Sequence, residues 1–529
     1  MQIRGVVTGA SGHGRMIQPR TYGIVFVLAL LWGGLLAAAI RQPGYTDAYY
    51  YFNAGRRLAD GDGLTDSYVW TYIDAPETLP GPSHTYWMPL ESLAAAAAMA
   101  VGGRTFGAAQ APSVIFFAVL VILAFWLGAF FGQTRRQAWI AGLLVLFSGF
   151  YTPFWTTTDT FALYGCVGAG ALMAMGRARE TARWRWFVLS GVLIGLAHLA
   201  RADGVLLLGV AGLVAIWPGR DVGRRHTAGA LIALLGAYLL VMLPWFARNV
   251  SEIGAPLPTG GTQTIWLRGY NELVSYPPSA SASAFWNWGL DNILQSRLEA
   301  LSNNLATFVA VETWVILGPF VLVGLWRERR QPMLLGVILY ALALHFVMTF
   351  VFAYPGYRGG LFHSSAALLP FWAAMGIVGL DGAIDWAAPR RRWRKKQAQT
   401  VFGGAVAALA AVLSVGVFAS RLGQWNANGA FYRDIVAGLP PDAILMVNDP
   451  AALYYHTGHS GVVLPDSEPE TVREIAARYG VTHLVLDENR TAPFDALFRS
   501  AESRPFLIPL RELKGGQRVF EIGLAEGSP

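Results

Sequence analysis

At 529 residues, with 54% hydrophobic residues, only 14% charged ones and a mean hydropathy of +0.41, the chain is excluded from the soluble globular class. Its net charge of +7 does not point to nucleic acid, because the basic residues are confined to short loops between apolar stretches. The single cysteine, Cys166, excludes intrachain disulfides and thiolate metal clusters. Apolar stretches of about 20 residues recur along the chain, which is the length a helix needs to cross a bilayer.

The N-terminal Gly9-Ala10-Ser11-Gly12-His13-Gly14 has the look of a phosphate loop, but no strand precedes it and an apolar segment follows. It reads as a flexible cytoplasmic tail. The first apolar segment, Tyr22 to Ile40, is followed by Arg41-Gln42-Pro43 with no small-residue cleavage site, so it reads as a span and not a cleavable signal. Next comes Tyr45 to Leu58. At 100° per residue, Asp47, Tyr50, Tyr51, Ala54 and Leu58 share one side of a helix, and Asn53, Arg56, Arg57 and Asp60 the other. That pattern predicts a helix lying along the membrane surface with Asp47 at its start. A carboxylate there can meet a lipid-borne and a water-borne substrate together; capping the helix is its alternative role.

Ten further apolar segments follow: Ala108 to Phe131, Ala138 to Phe154, Thr160 to Met175, Phe187 to Ala200, Val205 to Trp217, Thr227 to Phe246, Leu305 to Trp326, Met333 to Ala353, Leu361 to Leu380 and Thr400 to Ser420. The short, Ala-rich Pro89 to Val101 decides the topology. If it lies along the surface, the clusters at the N-terminus, Arg135–Arg136, Arg177–Arg185, Arg220–Arg225, Arg327–Arg330 and Arg390–Lys396 all fall on one side, roughly half of the 40 basic residues. The expectation is therefore about 11 spans, with the N-terminus inside and the C-terminus outside. The segments ending at Ala200 and Trp217 are shorter than a full crossing, so that hairpin is tilted or broken.

Residues 1–420 thus form a membrane domain, with an outer loop from Arg41 to about Ala108 and another from Arg248 to about Asn304. Residues 421–529 read as an extracytoplasmic α/β domain. In this tail Ala443–Val447, Gly461–Leu464, His483–Leu486 and Arg518–Ile522 predict strands. Asp449-Pro450 starts one helix, and Ser467 with Glu470 forms a capping box before a helix that ends near Gly480. Asp449, His456, His459 and His483 fit no standard metal spacing and read as surface or capping residues.

Charged groups near a membrane are costly and therefore informative. They collect at the outer ends of spans: Asp47, His84, Asp159, Arg201, Asp203, Arg248, Glu312, Arg358 and His363. Arg201, Arg248 and Arg358 sit where the sorting rule disfavours them. Guanidinium forks of this kind grip a lipid phosphate while a carboxylate accepts a proton; alternatively, Arg201 simply pairs with Asp203 or Asp159. His84-Thr85-Tyr86-Trp87 enters the Ala-rich helix and offers His84 and Tyr86 to the same cavity. His345 sits mid-span with no evident partner.

Several of these pieces, in this order, resemble the GT-C superfamily of polytopic glycosyltransferases, in the branch of the protein O-mannosyltransferases and the aminoarabinose transferase of lipid A. They are Asp47 with its aromatic helix, Gly102-Gly103-Arg104-Thr105-Phe106-Gly107, Thr158-Asp159-Thr160 and Leu199-Ala200-Arg201-Ala202-Asp203-Gly204. The most distinctive is Leu243-Pro244-Trp245-Phe246-Ala247-Arg248-Asn249 followed by Gly254-Ala255-Pro256-Leu257-Pro258; Tyr357-Arg358 before Leu369-Pro370 completes the set. The resemblance implies a sugar donor on a polyprenyl phosphate, an acceptor that is a lipid, glycan or protein, and inversion at the anomeric carbon. It implies that Asp47 activates or orients the acceptor, Asp159 is the second acid, and Arg248 and Arg358 hold the phosphate. The chain departs from the aminoarabinose branch at Trp87-Met88-Pro89, where that branch has a lysine before paired prolines. The expected enzyme needs no cofactor beyond the lipid-linked sugar and no metal; the rival classes are a lipid or solute transporter and a non-catalytic scaffold.

Overall fold

The structure, a computed structural model, describes residues 17–217, 223–500, 502–513 and 515–523. The glycine-rich N-terminal stretch and part of the Arg220–Arg225 loop lie outside the described residues. The membrane body is a bundle of helices: α1 (Pro19–Ala39), α2 (Thr46–Asp60), α3 (Leu90–Gly102), α4 (Phe106–Gly132), α5 (Arg135–Leu146), α6 (Phe161–Thr181), α7 (Trp184–Ala200), α8 (Leu206–Ile216) and α9 (Arg224–Ile253). After the long loop that follows α9 come α10 (Leu290–Thr307), α11 (Gly318–Glu328), α12 (Pro332–Phe346), α13 (Leu369–Arg391) and α14 (Lys395–Val436). The chain is a polytopic α-helical membrane protein with a small C-terminal sheet.

All eleven apolar segments are helical, yet among the described residues only six helices are long and apolar enough to cross a membrane alone, and a bent pair ending in α13 makes a seventh. The expectation of about 11 spans meets breaks that an apolar run conceals. Between α10 and α11 the backbone passes through a π-helical turn at Phe308–Glu312 and then takes positive φ at Trp314 and Val315. α5 ends at Leu146, well short of Phe154. α3, in the Ala-rich segment, is 13 residues long and packs on α2 and α4.

α2 departs from expectation in a different way. Ala48 to Gly55 are buried without interruption, so the helix has no solvated face over those two turns. Gly55 lets it approach α3, since a Cβ there would meet the Ser92 carbonyl at 2.9 Å. What covers the polar side is the tail. Asn53 donates to the Ala451 carbonyl at 2.8 Å, and Tyr49 and Tyr51 pack with Tyr432, Leu445 and Leu453. The helix ends where Gly61 takes the left-handed conformation at φ 95°.

The tail sheet contains β1 (Tyr68–Val69), β2 (Leu445–Val447), β3 (Gly461–Val463), β4 (His483–Leu486), β5 (Leu507–Glu512) and β6 (Arg518–Ile522). The spatial order is β1-β3-β2-β4-β6-β5; β3, β2 and β4 are parallel neighbours and β6 and β5 complete an antiparallel edge. The edge strand β1 comes from the loop between α2 and α3, Tyr68 lying opposite Gly461 in parallel register. α14 runs unbroken through residue 420 into this unit. Two further helices, α15 (Pro450–Thr457) and α16 (Thr471–Tyr479), pack on the sheet. Asp449 caps α15 by accepting from the Ala452 N–H, as read from sequence. Ser467 does not form the expected capping box: its hydroxyl donates to the Tyr276 carbonyl at 2.7 Å and ties the tail to the loop between α9 and α10 instead.

Candidate active site

Three acids and bases from distant parts of the chain meet at one end of the bundle. Asp47 lies in the first turn of α2, Asp159 two residues before α6, and His363 on the short helix Leu361–Ser364. Their ligand atoms all lie within 4.8 Å of one another. His363 Nε2 stands 3.1 Å from Asp159 Oδ2 and 3.8 Å from Asp47 Oδ2. The other ring nitrogen donates to the Gly359 carbonyl at 2.8 Å, which fixes Nδ1 as protonated and turns Nε2 towards the carboxylates. The ring stacks on Phe161 at 3.9 Å.

The two carboxylates differ in environment. Asp159 is fully buried but accepts from the Tyr45 hydroxyl at 2.8 Å and from the Thr160 N–H at 2.6 Å. Burial opposes its charge, yet His363 and these donors outweigh burial and hold the carboxyl below its ordinary range. Asp47 has no such donors among the described residues. Burial, with the Asp159 charge adding to it, pushes Asp47 up to about 7 against the opposing pull of His363 and Arg201. Near neutral pH one acid is held ionised and the other is poised to take up or release a proton.

Arg201, in the turn between α7 and α8, ion-pairs with Asp203 at 3.1 Å and donates to Ser364 Oγ at 2.9 Å, beside His363. Tyr86 lies within electrostatic reach of Asp47 and Arg201, and Tyr270 within reach of Asp47. The Arg358 guanidinium lies over the Tyr270 ring at 4.3 Å. Asp47, Asp159 and His363 are therefore brought together, with Arg201 beside them through Ser364, Tyr86 within electrostatic reach, and Arg358 connected through Tyr270.

Three expected site residues are placed elsewhere. Arg248 bonds to the Leu64 carbonyl at 3.0 Å and to Asn249 Oδ1 at 3.1 Å and stacks on Trp245. It belongs to a second cluster with Asp66, Arg57 and Tyr50, so Arg201, and not Arg248, is the guanidinium whose charge reaches Asp47. His84 is fully buried, bonded on both ring nitrogens to Ser83 and Ser92, and pushed down to about 3 by burial with Arg248 adding to it. It is a neutral support whose backbone N–H donates to the Tyr50 hydroxyl, and it does not join the Asp47 cluster. Glu312 is also fully buried, accepting from Trp372 Nε1 at 2.9 Å and facing His345 Nε2 at 3.1 Å. The mid-span histidine thus has a partner, and Glu312 holds a break in the helix instead of a ligand.

Tyr45, Thr157, Tyr270 and Asp66 have no site role in the sequence reading, and Asp449 appears there only as a capping residue. Asp449 Oδ2 accepts from the Thr46 hydroxyl at 2.9 Å, adjacent to Asp47. Tyr45, Thr157 and Asp449 carry no local mark of this role because their partners lie more than a hundred positions away.

This arrangement of apolar helices, with a tail packed over an acid-bearing helix, is a fold that the chain shares with several solved structures. Over 97% of its length the chain is similar to ArnT from Cupriavidus metallidurans bound to undecaprenyl phosphate, covering 100% of that chain at 14% identity with a TM-score of 0.56. The oligosaccharyltransferase of Archaeoglobus fulgidus in complex with zinc and sulfate matches 87% of this chain and 67% of its own, at 12% identity and a TM-score of 0.55. The archaeal oligosaccharyltransferase AglB, in complex with an inhibitory peptide and a dolichol-phosphate, matches 87% and 69% at 11% identity with a TM-score of 0.52. No protein-family model and no curated protein sequence matches the chain.

Proposed function

We propose that this chain is a glycosyltransferase that moves a sugar from a polyprenyl-phosphate donor to an acceptor at the outer face of the membrane, with the tail on that side. The observation that carries the reading is the meeting of Asp47, Asp159 and His363 under the outer loops of a GT-C fold. Asp47 takes the proton of the incoming acceptor hydroxyl as it attacks the anomeric carbon, and the sugar–phosphate bond breaks with its electron pair going to the phosphate. Asp159 stays ionised and holds His363 against Asp47. Arg358 and Arg201 offset the charge that develops on the departing phosphate. Attack opposite the leaving group inverts the anomeric centre.

The two carboxylates and the imidazole also have the donor chemistry of a divalent-cation site. Asp47, Asp159 and His363 would hold such an ion, which would supply Lewis-acid stabilisation of the phosphate; no step above is routed through it.

The purified protein, incubated with a panel of polyprenyl-phosphate sugars and an extract of envelope lipids, is expected to consume one donor and release free polyprenyl phosphate, read by mass spectrometry, with turnover surviving EDTA. Transport of the intact sugar lipid across sealed vesicles with no free polyprenyl phosphate contradicts the enzyme. Loss of turnover in EDTA, restored by a divalent ion, contradicts the metal-free step only.

A further inference from the structure

A cavity of about 720 Å³ opens at the end of the bundle opposite Asp47, where α4, α11 and α13 end and α5 and α14 begin. Arg136, Arg327, Lys395 and Lys396 line it, together with Glu328, Asp381 and Asp385. Most of these charges are matched within the wall. Asp385 is held by Lys395 Nζ at 3.0 Å and Gln399 Nε2 at 2.9 Å. Asp381 Oδ2 accepts from Gln137 Nε2 at 2.7 Å and from the Arg136 guanidinium.

Two features are left over. Arg327 and Lys396 have no ion pair or side-chain hydrogen bond among the described residues, and Glu328 is the remaining carboxylate that could offset them. Arg327 crosses α13 at Gly382, where any side chain would collide with its guanidinium, and so lies next to Asp381. Asp381 itself is 7% exposed, and its Oδ1 is buried with no hydrogen-bond donor. A buried carboxylate oxygen without a donor is costly, so the cavity lacks a donor as well as an anion. It sits among apolar helices in the belt of basic loops, the level at which lipid phosphates lie.

We propose that this cavity holds the headgroup of an anionic phospholipid that carries hydroxyl groups, its phosphate between Arg327 and Lys396 and a headgroup hydroxyl donating to Asp381 Oδ1. The site is distinct from the Asp47 cluster and does not depend on what reaction occurs there. Phosphatidylcholine offers the phosphate but no hydroxyl and cancels the charge, so the cavity discriminates against it.

The test uses the full chain in detergent, with phosphatidylglycerol, phosphatidylcholine or inorganic phosphate added, read by native mass spectrometry and by thermal melting. Phosphatidylglycerol is expected to stay bound and raise the melting temperature. The double variant R327Q/K396Q, which breaks no internal pair, is expected to weaken retention about tenfold or more, as each basic side chain near an anionic lipid is worth about a factor of five. The exposed pair R391Q/R392Q at the end of α13 serves as control and is expected to leave retention unchanged. Equal loss in the control means diffuse attraction by the basic belt and overturns the site. Equal retention of phosphatidylcholine overturns it as well, and stabilisation by inorganic phosphate without lipid retention shows a free-phosphate site and overturns the lipid.

Discussion

Replacing Asp47 by Asn is expected to lower sugar transfer by about 10² to 10⁴-fold while leaving the protein folded and able to bind its donor. The amide keeps the size of the carboxyl but accepts no proton. Stability is expected to hold because Asp47 has no hydrogen-bond donor among the described residues, its nearest charged neighbour being His363 at 3.8 Å. Removing its charge also relieves repulsion from Asp159, which contributes to holding its acid form. Donor consumption measured at saturating donor, beside a thermal melt of the same preparation, checks both halves. Wild-type turnover in the variant removes Asp47 from the mechanism.

Ending the chain at Ser420 is expected to abolish transfer even where the spans still insert. The helix that carries Asp47 is clamped by the segment removed. Thr46 donates to Asp449, Asn53 to the Ala451 carbonyl, Tyr49 bonds His456 Nε2 at 3.0 Å, and Arg57 reaches the Tyr454 hydroxyl at 3.1 Å. Tyr45, which donates to Asp159, rests on Trp425 with ring centroids 5.1 Å apart. Without the tail the buried tyrosines of α2 face water, and each loses about 1.5 to 3 kcal/mol of burial. A displacement of about 1 Å at a reacting group costs about 10²-fold, so even a modest shift of α2 suffices. Turnover by the truncated protein at the wild-type rate, with insertion verified by gel filtration, contradicts this reading and makes the tail an accessory.

These two expectations rest on different degrees of legibility. Asp47 was visible in the sequence because an acid beside an apolar span is costly and stands out, and the same holds for Asp159, Arg201, Arg358 and His363. The tail strands were visible because short apolar runs bounded by turn residues leave few alternatives, although β5, with three of its six residues apolar and most of them exposed, was missed. The clamp on α2 was not visible. Its 3.6-residue pattern describes a surface helix, and the group that buries its polar side arrives about 400 residues later in the chain, with no local trace. Glu312 was misplaced for a related reason: an apolar run from Leu305 to Trp326 reads as one span, whereas the backbone breaks at Trp314 and turns the glutamate inward to His345 and Trp372. Arg248 was assigned to the wrong cluster because its residue type and span end matched those of Arg201, and only the fold separates them.

The pH dependence of transfer by the wild-type enzyme tests the role of Asp47 most directly. A carboxyl held near 7 is protonated below that pH and cannot accept the acceptor's proton, so kcat/KM is expected to fall about tenfold per unit below pH 7 and to level off above it. A profile that stays flat from about pH 5.5 to about pH 8.5, or one whose midpoint lies near 4 as for an ordinary carboxylate, contradicts a proton-accepting Asp47.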